Sequence, residues 1–300
     1  MPAPRAPRPA PLLMCRPTYY TIAYEINPWM RLTRQVVQRV AARQWQALYK
    51  LLTEQLKASV RLLRPVEGLP DLIFTANAGL VSGQTVIRSN FRHPERQGEE
   101  LVFERYFRQR GYRVMTLPRR FNFEGEGDAL RVGETLFFGF RFRSDAPAHE
   151  HLARILHCRV LPLELVDRRF YHLDTCFCPL NETSALWYPK AFDRYGRRVI
   201  ETYVKDPVAV SQADALRFCC NAVIVNRAVI FHRGVSKALR KQLGNRGFVL
   251  YELDLSEFLK AGGSAKCLVL RLTNQANGAG SAACPKGPRF RSRKETPPLP

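Results

Sequence analysis

No apolar run in this chain is long enough to cross a bilayer, so no membrane span is expected. The opening MPAPRAPRPAPLLM has no apolar centre of the secretory kind. Its arginines without acids faintly suit an organelle-import peptide, but its prolines oppose the amphipathic helix such a peptide needs. The expected compartment is the cytoplasm. Paired CxxC motifs are missing too. Eight cysteines include the adjacent Cys219 and Cys220, and Cys176 and Cys178 two apart, none at structural-zinc spacing. In a chain of this length without a secretory signal they read as reduced thiols. No EF-hand loop is present, and no metal is expected. Acids are scarce as well: 26 against 47 lysines and arginines, a net charge of +21. Such a surface attracts polyanions and acidic membranes. The arginines are scattered, however, and no aromatic–basic RNA motif or zinc-finger pattern accompanies them, so neither a specific nucleic-acid partner nor a membrane is expected. The sequence leaves the oligomeric state open, a homo-oligomer included.

What is present is a core. A hydrophobic fraction of 46% over 300 residues supports a substantial globular body. Residues 1–11 read as a flexible arm, 12–272 as the folded region and 273–300 as a disordered, basic, proline-rich tail. A long helix is predicted over Thr33 to Leu63, with Val36, Val37, Val40, Leu48, Leu52 and Leu56 as its apolar stripe, ended by Pro65 and Gly68. A pattern then recurs: two short β segments about a turn (Ser82-Gly83-Gln84, then Gly133-Glu134), a helix, and a further strand. Helices are expected near 97–110, 148–157, 190–203 and 236–245. With the first, that makes five helices starting about every 45 to 60 residues, a period that points to a propeller or array of supersecondary units. The expected fold is α/β, a ring of five ββαβ-type units whose loops meet at the centre; an open α/β sheet is the alternative.

Four motifs carry chemistry. Cys267, in AGGSAKCLVLRL, follows two glycines and precedes an apolar run read as a short strand. Lys266 beside it would draw the thiol toward thiolate. A free cysteine is more often simply buried, so its company decides. His172 and Asp174 lie two apart in YHLDTCF, on one face if the segment is a strand. FEGEGD sets Glu124, Glu126 and Asp128 so close that they need a cation or solvent. FTANAGL carries Asn77. A thiol, an imidazole and carboxylates in one site suit attack on an electrophilic carbon, with the histidine moving protons. Carboxylates without a metal motif suggest a cationic substrate, and a planar guanidinium matches them. Arg96 and Arg143 would then hold a carboxylate at the substrate's other end.

These motifs resemble the guanidine-modifying superfamily, which includes arginine deiminases, dimethylarginine dimethylaminohydrolases and amidinotransferases. The resemblance runs from about Leu12 to Leu272, HLDT and the late GG-x-x-x-C being its more specific parts. It implies a five-bladed α/β propeller. It implies Cys267 as nucleophile, His172 as general acid and base, Asp174 as guanidinium ligand and Glu124 as support for guanidinium or histidine. The choice among Glu124, Glu126 and Asp128 stays open, with Asp128 also a candidate substrate ligand. Arg143, in FFGFRFRSD, matches a carboxylate-binding arginine, and Arg96 is a weaker match. Deiminases of the superfamily commonly carry an aspartate where Asn77 stands. Asparagine there, with NPWM near the start, more closely resembles the arginine dihydrolase domain of bacteria.

The resemblance implies a cysteine-dependent hydrolase of a small guanidino substrate, arginine or a methylated arginine, with no cofactor. A dihydrolase would take arginine to ornithine, carbon dioxide and ammonia. The alternatives are a dimethylarginine dimethylaminohydrolase or deiminase that stops at citrulline, and an amidinotransferase. A basic binding protein that keeps the propeller without turnover is the rival of another class.

Overall fold

The computed structural model describes residues 10–272. The expected tail, and all but the last two residues of the expected arm, lie outside the described residues.

Five three-stranded sheets form in chain order. Strands β1 (Leu12–Cys15) and β2 (Val60–Leu63) run parallel and belong to the blade that closes the ring. The second blade is the hairpin β3 (Gly79–Ser82) and β4 (Thr85–Arg88), with β5 (Arg113–Thr116) parallel to β4. The third is β6 (Ala129–Val132), β7 (Thr135–Phe140) and β8 (Arg159–Glu164). The fourth is β9 (Phe177–Pro179), β10 (Ser184–Trp187) and β11 (Asp206–Ala209). The fifth is β12 (Val223–Val225), β13 (Ala228–His232) and β14 (Val249–Leu253). Finally β15 (Leu270–Arg271) pairs antiparallel with β1, Leu12 opposite Arg271. Every blade is thus an antiparallel pair plus a parallel third strand. The third strand is reached through a helix, because parallel neighbours need a crossover. The fold is a five-bladed α/β propeller.

The crossover helices are α1 (Gln38–Lys50), α2 (Pro94–Arg108), α3 (Ala148–Leu156), α4 (Arg194–Tyr203), and, after the short α5 (Gln212–Leu216), α6 (Lys237–Asn245); α7 (Ser256–Leu259) precedes the last turn. Middle strands are buried on both faces: Val86, Ile87, Leu136, Phe137, Phe138, Val229, Ile230 and Phe231 are all closed to solvent. Each buried phenylalanine contributes roughly 1.5–3 kcal/mol.

The long helix expected over Thr33 to Leu63 is shorter. It begins at Gln38, widens into a π-turn over Leu51–Gln55, and gives way to β2. Its inner face is Ala41, Gln44, Trp45 and Leu48, while Val37 is 52% exposed. The apolar residues of β2 extend the helical stripe in sequence, but their parallel pairing with β1 overrides it. Among the described residues, no helix is long and apolar enough to cross a membrane.

Candidate active site

The propeller presents one turn per blade at its centre, each just before the edge strand that pairs antiparallel with the blade's middle strand. Asn77 lies two residues before β3, Gly127 two before β6, Thr175 two before β9, Asn221 two before β12 and Leu268 two before β15. Hydrogen bonds join these turns into a closed circuit. The Ala76 N–H donates to the Cys267 carbonyl (3.2 Å). Asn77 Nδ2 donates to the Glu124 carbonyl (3.1 Å). The Leu173 N–H donates to Asp128 Oδ1 (3.1 Å), and Asn221 Nδ2 to the Asp174 carbonyl (3.1 Å). The Lys266 N–H donates to the Asn221 carbonyl (3.2 Å). Residues separated by most of the chain are thereby fixed against one another.

The circuit holds Cys267 in a turn of residues 265–268, with the strand starting only at Leu270. Its Sγ donates to Asp174 Oδ2 (3.5 Å) and accepts from Asn221 Nδ2 (3.1 Å). Burial, then Asp174, push the thiol well above its ordinary range, and Lys266 only partly offsets them. Lys266 turns instead to Glu126 (2.9 Å) and the Val269 carbonyl (3.1 Å). The expectation that Lys266 sets the thiol's charge is therefore corrected: burial and a facing carboxylate outweigh it. Gly262 permits the preceding bend at φ 78°, where a Cβ would strike Trp29, Asn27 and Tyr171.

HLDT is also not a strand. His172 is extended, but Leu173–Thr175 form a 3₁₀ turn. Asp128 enforces that turn by accepting the Leu173 N–H; its other oxygen takes the Ser144 hydroxyl (2.6 Å). His172 Nε2 meets Glu124 Oε2 at 2.8 Å. Burial lowers the imidazole to about 4 against the raising effect of Glu124. Burial would raise Glu124, but Arg143 (3.0 Å) and His172 hold it below the ordinary carboxylate range. At neutral pH the pair is therefore carboxylate and neutral imidazole, Nε2–H donating, with Nδ1 left to exchange protons. Gly127 makes room here, since a Cβ would lie 2.3 Å from Asn77 Nδ2.

The three FEGEGD carboxylates are buried and point three ways. Glu124 serves His172 and Arg143, Glu126 serves Lys266 and the Arg271 N–H, and Asp128 serves Ser144 and Leu173. They neither share a cation nor face solvent. Among the described residues no cluster of three or more His, Cys, Asp or Glu is placed to hold a metal.

A narrow cavity is walled by Cys267, Asn77, Arg96, Arg143, Asp71 and Tyr171 among others. Four sequence-predicted residues thus share it, while Asp174 adjoins it through Cys267, Glu124 through Arg143, and His172 through Glu124. Asp128 is not brought to it. Arg96 is spoken for: Nε and Nη2 clasp Glu99 (both 2.8 Å), and Nη1 donates to Asn77 Oδ1 (3.0 Å). Its geometry makes it a strut for Asn77. Arg143 gives one donor to Glu124 and one to the Ile26 carbonyl (3.1 Å), while its guanidinium lies over the Tyr171 ring, 4.7 Å from the centroid.

Asp71 belongs to none of the motifs above. Its Oδ1 is buried and unpartnered, as is Asp174 Oδ1. Asp71 Oδ2 is 3.9 Å from Arg96, and Tyr24 stands near enough to ease its charge without a sound hydrogen bond. The available signal was a carboxylate inside the apolar run LPDLIF, where an unpaired acid is out of place. A roomier cavity is lined by Leu80, Leu130, Phe177, Cys178, Ile224 and Lys266 among others; Glu126 reaches it, but Cys267, His172, Asp174 and Glu124 do not line it.

This fold defines a class, the guanidine-modifying five-bladed propellers. The family model described as N,N dimethylarginine dimethylhydrolase, eukaryotic, matches residues 20–274, and the chain belongs to that family. It is 40% identical to the N(G),N(G)-dimethylarginine dimethylaminohydrolase of Mycobacterium tuberculosis, covering 90% of this chain and 88% of that one. It is 50% identical to the bifunctional arginine dihydrolase/ornithine cyclodeaminase AgrE of Nostoc sp. over 87% of this chain, but spans only 37% of that relative's length. The crystal structure of the N-terminal domain of ArgZ, a cyanobacterial arginine dihydrolase, in a cysteine-to-serine mutant bound to substrate, superposes with a TM-score of 0.84. The identity is 46%, covering 88% of this chain and 98% of that one.

Proposed function

We propose that the protein is a cysteine-dependent hydrolase that takes arginine through citrulline to ornithine. The observation that carries this reading is the pair of unpartnered, buried carboxylate oxygens on Asp71 and Asp174, set apart on different turns. An amino acid with a cation at each end satisfies both. Asp174, touching the sulfur, takes the guanidinium. Asp71, near the charged Arg96, takes the α-ammonium, and the remaining donors of Arg143 take the α-carboxylate. The likeness to arginine dihydrolases supports the choice of substrate.

The resting thiol is neutral. A guanidinium entering beside Asp174 reverses the local charge and makes the thiolate accessible. The thiol proton passes to His172, whose imidazolium Glu124 stabilises. The thiolate forms the S–C bond as the C=N electron pair moves onto nitrogen. His172 returns the proton to the leaving nitrogen, the C–N bond breaks, and ammonia departs from a thiouronium. Water gives its proton to His172 and its oxygen to carbon, the S–C bond breaks, and citrulline forms. A second pass on the ureido carbon completes the balance: arginine and two waters give ornithine, carbon dioxide and two ammonia. Asn77 suits both passes, since a neutral amide pairs with a ureido group as well as with a cation.

The family match supports a second reading, hydrolysis of methylated arginine to citrulline and an alkylamine. One experiment separates them. Purified protein is incubated with arginine, with methylated arginines, and with arginine plus glycine, and all products are identified by mass. Ornithine from arginine is expected. Citrulline as sole product, turnover of methylated arginine alone, or a guanidino product from glycine would each replace the dihydrolase.

A further inference from the structure

Asn221 belongs to none of the motifs above, yet it touches both Cys267 and Asp174. It is fully buried in the turn before β12. Its Oδ1 accepts the backbone N–H of Ser264 (2.9 Å) and of Cys267 (3.2 Å). Its Nδ2 donates to the Asp174 carbonyl and to Cys267 Sγ, both at 3.1 Å. An amide has two N–H bonds and two lone pairs, and here all four are used. That fixes its orientation. Flipping it would set the NH₂ against two backbone donors and the oxygen against a carbonyl.

The sulfur therefore has two polar neighbours of opposite kind. The S–H donates to Asp174, and the Asn221 amide donates to the sulfur. Loss of the proton turns the first contact repulsive. The second survives and strengthens, because its acceptor is now charged.

We propose that Asn221 is the positioning residue of Cys267: it pins the turn that carries the nucleophile and stabilises the thiolate by a hydrogen bond that outlasts deprotonation. This rests on the reading of Cys267 as nucleophile. Asn221 also ties the sulfur to the backbone of the guanidinium ligand, since the same NH₂ donates to the Asp174 carbonyl. Sulfur and carboxylate keep one spacing, and the reacting carbon is held in reach of both.

The test reads the thiolate without requiring turnover. Cys267 is alkylated with iodoacetamide across pH, and its modification is followed by peptide mass in wild type, Asn221→Ala and Asn221→Asp. In Asn221→Ala the midpoint should rise by roughly one pH unit, with alkylation at pH 8 roughly tenfold slower. In Asn221→Asp the acceptor for both backbone amides is kept but a carboxylate faces the sulfur, so the midpoint should rise further. With substrate, kcat should fall more than KM rises. A purely structural role would lower the melting temperature and leave the midpoint in place, and a folded variant with the wild-type midpoint overturns the proposal. Should neither variant fold, ¹⁵N-asparagine-labelled wild type decides. The Asn221 side-chain amide signal must titrate with the Cys267 alkylation midpoint, and a signal indifferent to it is equally fatal. If the midpoints move as expected but arginine is untouched, only the substrate assignment fails.

Discussion

Lys266 and Cys267 are adjacent in the chain and line different cavities. The roomier one has leucine, isoleucine and phenylalanine walls and two thiols, Cys178 and Cys220. The narrow one has a single thiol among arginines, two asparagines and a carboxylate. Burial raises Cys178 to about 12 and pushes Cys220 well above its usual range. Burial raises Cys267 as well, but Cys267 alone touches a group that takes a proton and a group that gives a hydrogen bond. Space and sulfur do not make a reactive centre; polar neighbours that respond when a cation arrives do.

The largest effect should come from exchanging the two thiols' fates. Cys267→Ala should lose at least about 10⁴-fold in turnover, because no other group can form the covalent bond. Cys178→Ala should stay within about twofold and lose roughly 1 kcal/mol of stability. Product release and thermal melting measure both; a dead Cys178→Ala would erase the contrast between the cavities. Next is His172→Ala, expected to slow turnover about 10²–10⁴-fold and leave a covalent adduct on Cys267 in the intact mass. A near-normal rate would move proton transfer elsewhere.

The charged neighbours should also show in stability. His172 is held at about 4, below its unfolded value of 6.5. The unfolded chain therefore takes up the proton first as pH falls. The contribution is whole above pH 6.5 and fades toward pH 4, up to about 3 kcal/mol. Denaturation midpoints at pH 7 and pH 4.5 should differ less in His172→Gln than in wild type, and equal differences would mean the imidazole is not buried neutral. Asp71→Asn should raise KM for arginine roughly tenfold to a hundredfold with a smaller change in kcat, as expected for loss of a charged hydrogen bond at the non-reacting end. A change confined to kcat would move Asp71 to the chemistry. The subtlest change is in product ratio. Asn77→Asp should retain the first hydrolysis better than the second, so labelled citrulline should accumulate over ornithine.

The five-unit count was readable because each hairpin is a short apolar pair around a tight turn, and each crossover ends in a glycine or polar residue. The first helix was overdrawn because Val60–Leu63 continue its stripe, and only β1, far off in sequence, makes them a strand. HLDT misled for a similar reason: the Asp128 carboxylate that folds it into a turn lies 45 residues away. Cys267, His172 and Glu124 stood out through glycines and clustered charge. Asp71 and Asn221 did not, because each is one polar residue in an apolar run, and such a residue declares itself only when its partners are in view. FEGEGD could not be apportioned by pattern, since three equal charges differ only in what each meets.

The circuit of turns also orders events in time. Its last link is Cys267 itself, tied to Ala76 through its backbone and sealed three residues later where β15 meets β1. On a ribosome, β1 emerges before all the other strands of the propeller, and its antiparallel partner β15 after them. Until then four blades can hold most of the carboxylates and arginines, but the sulfur has no fixed address. A growing chain is consequently silent toward its substrate, and activity switches on in one late step, when the two sides of the closing blade join.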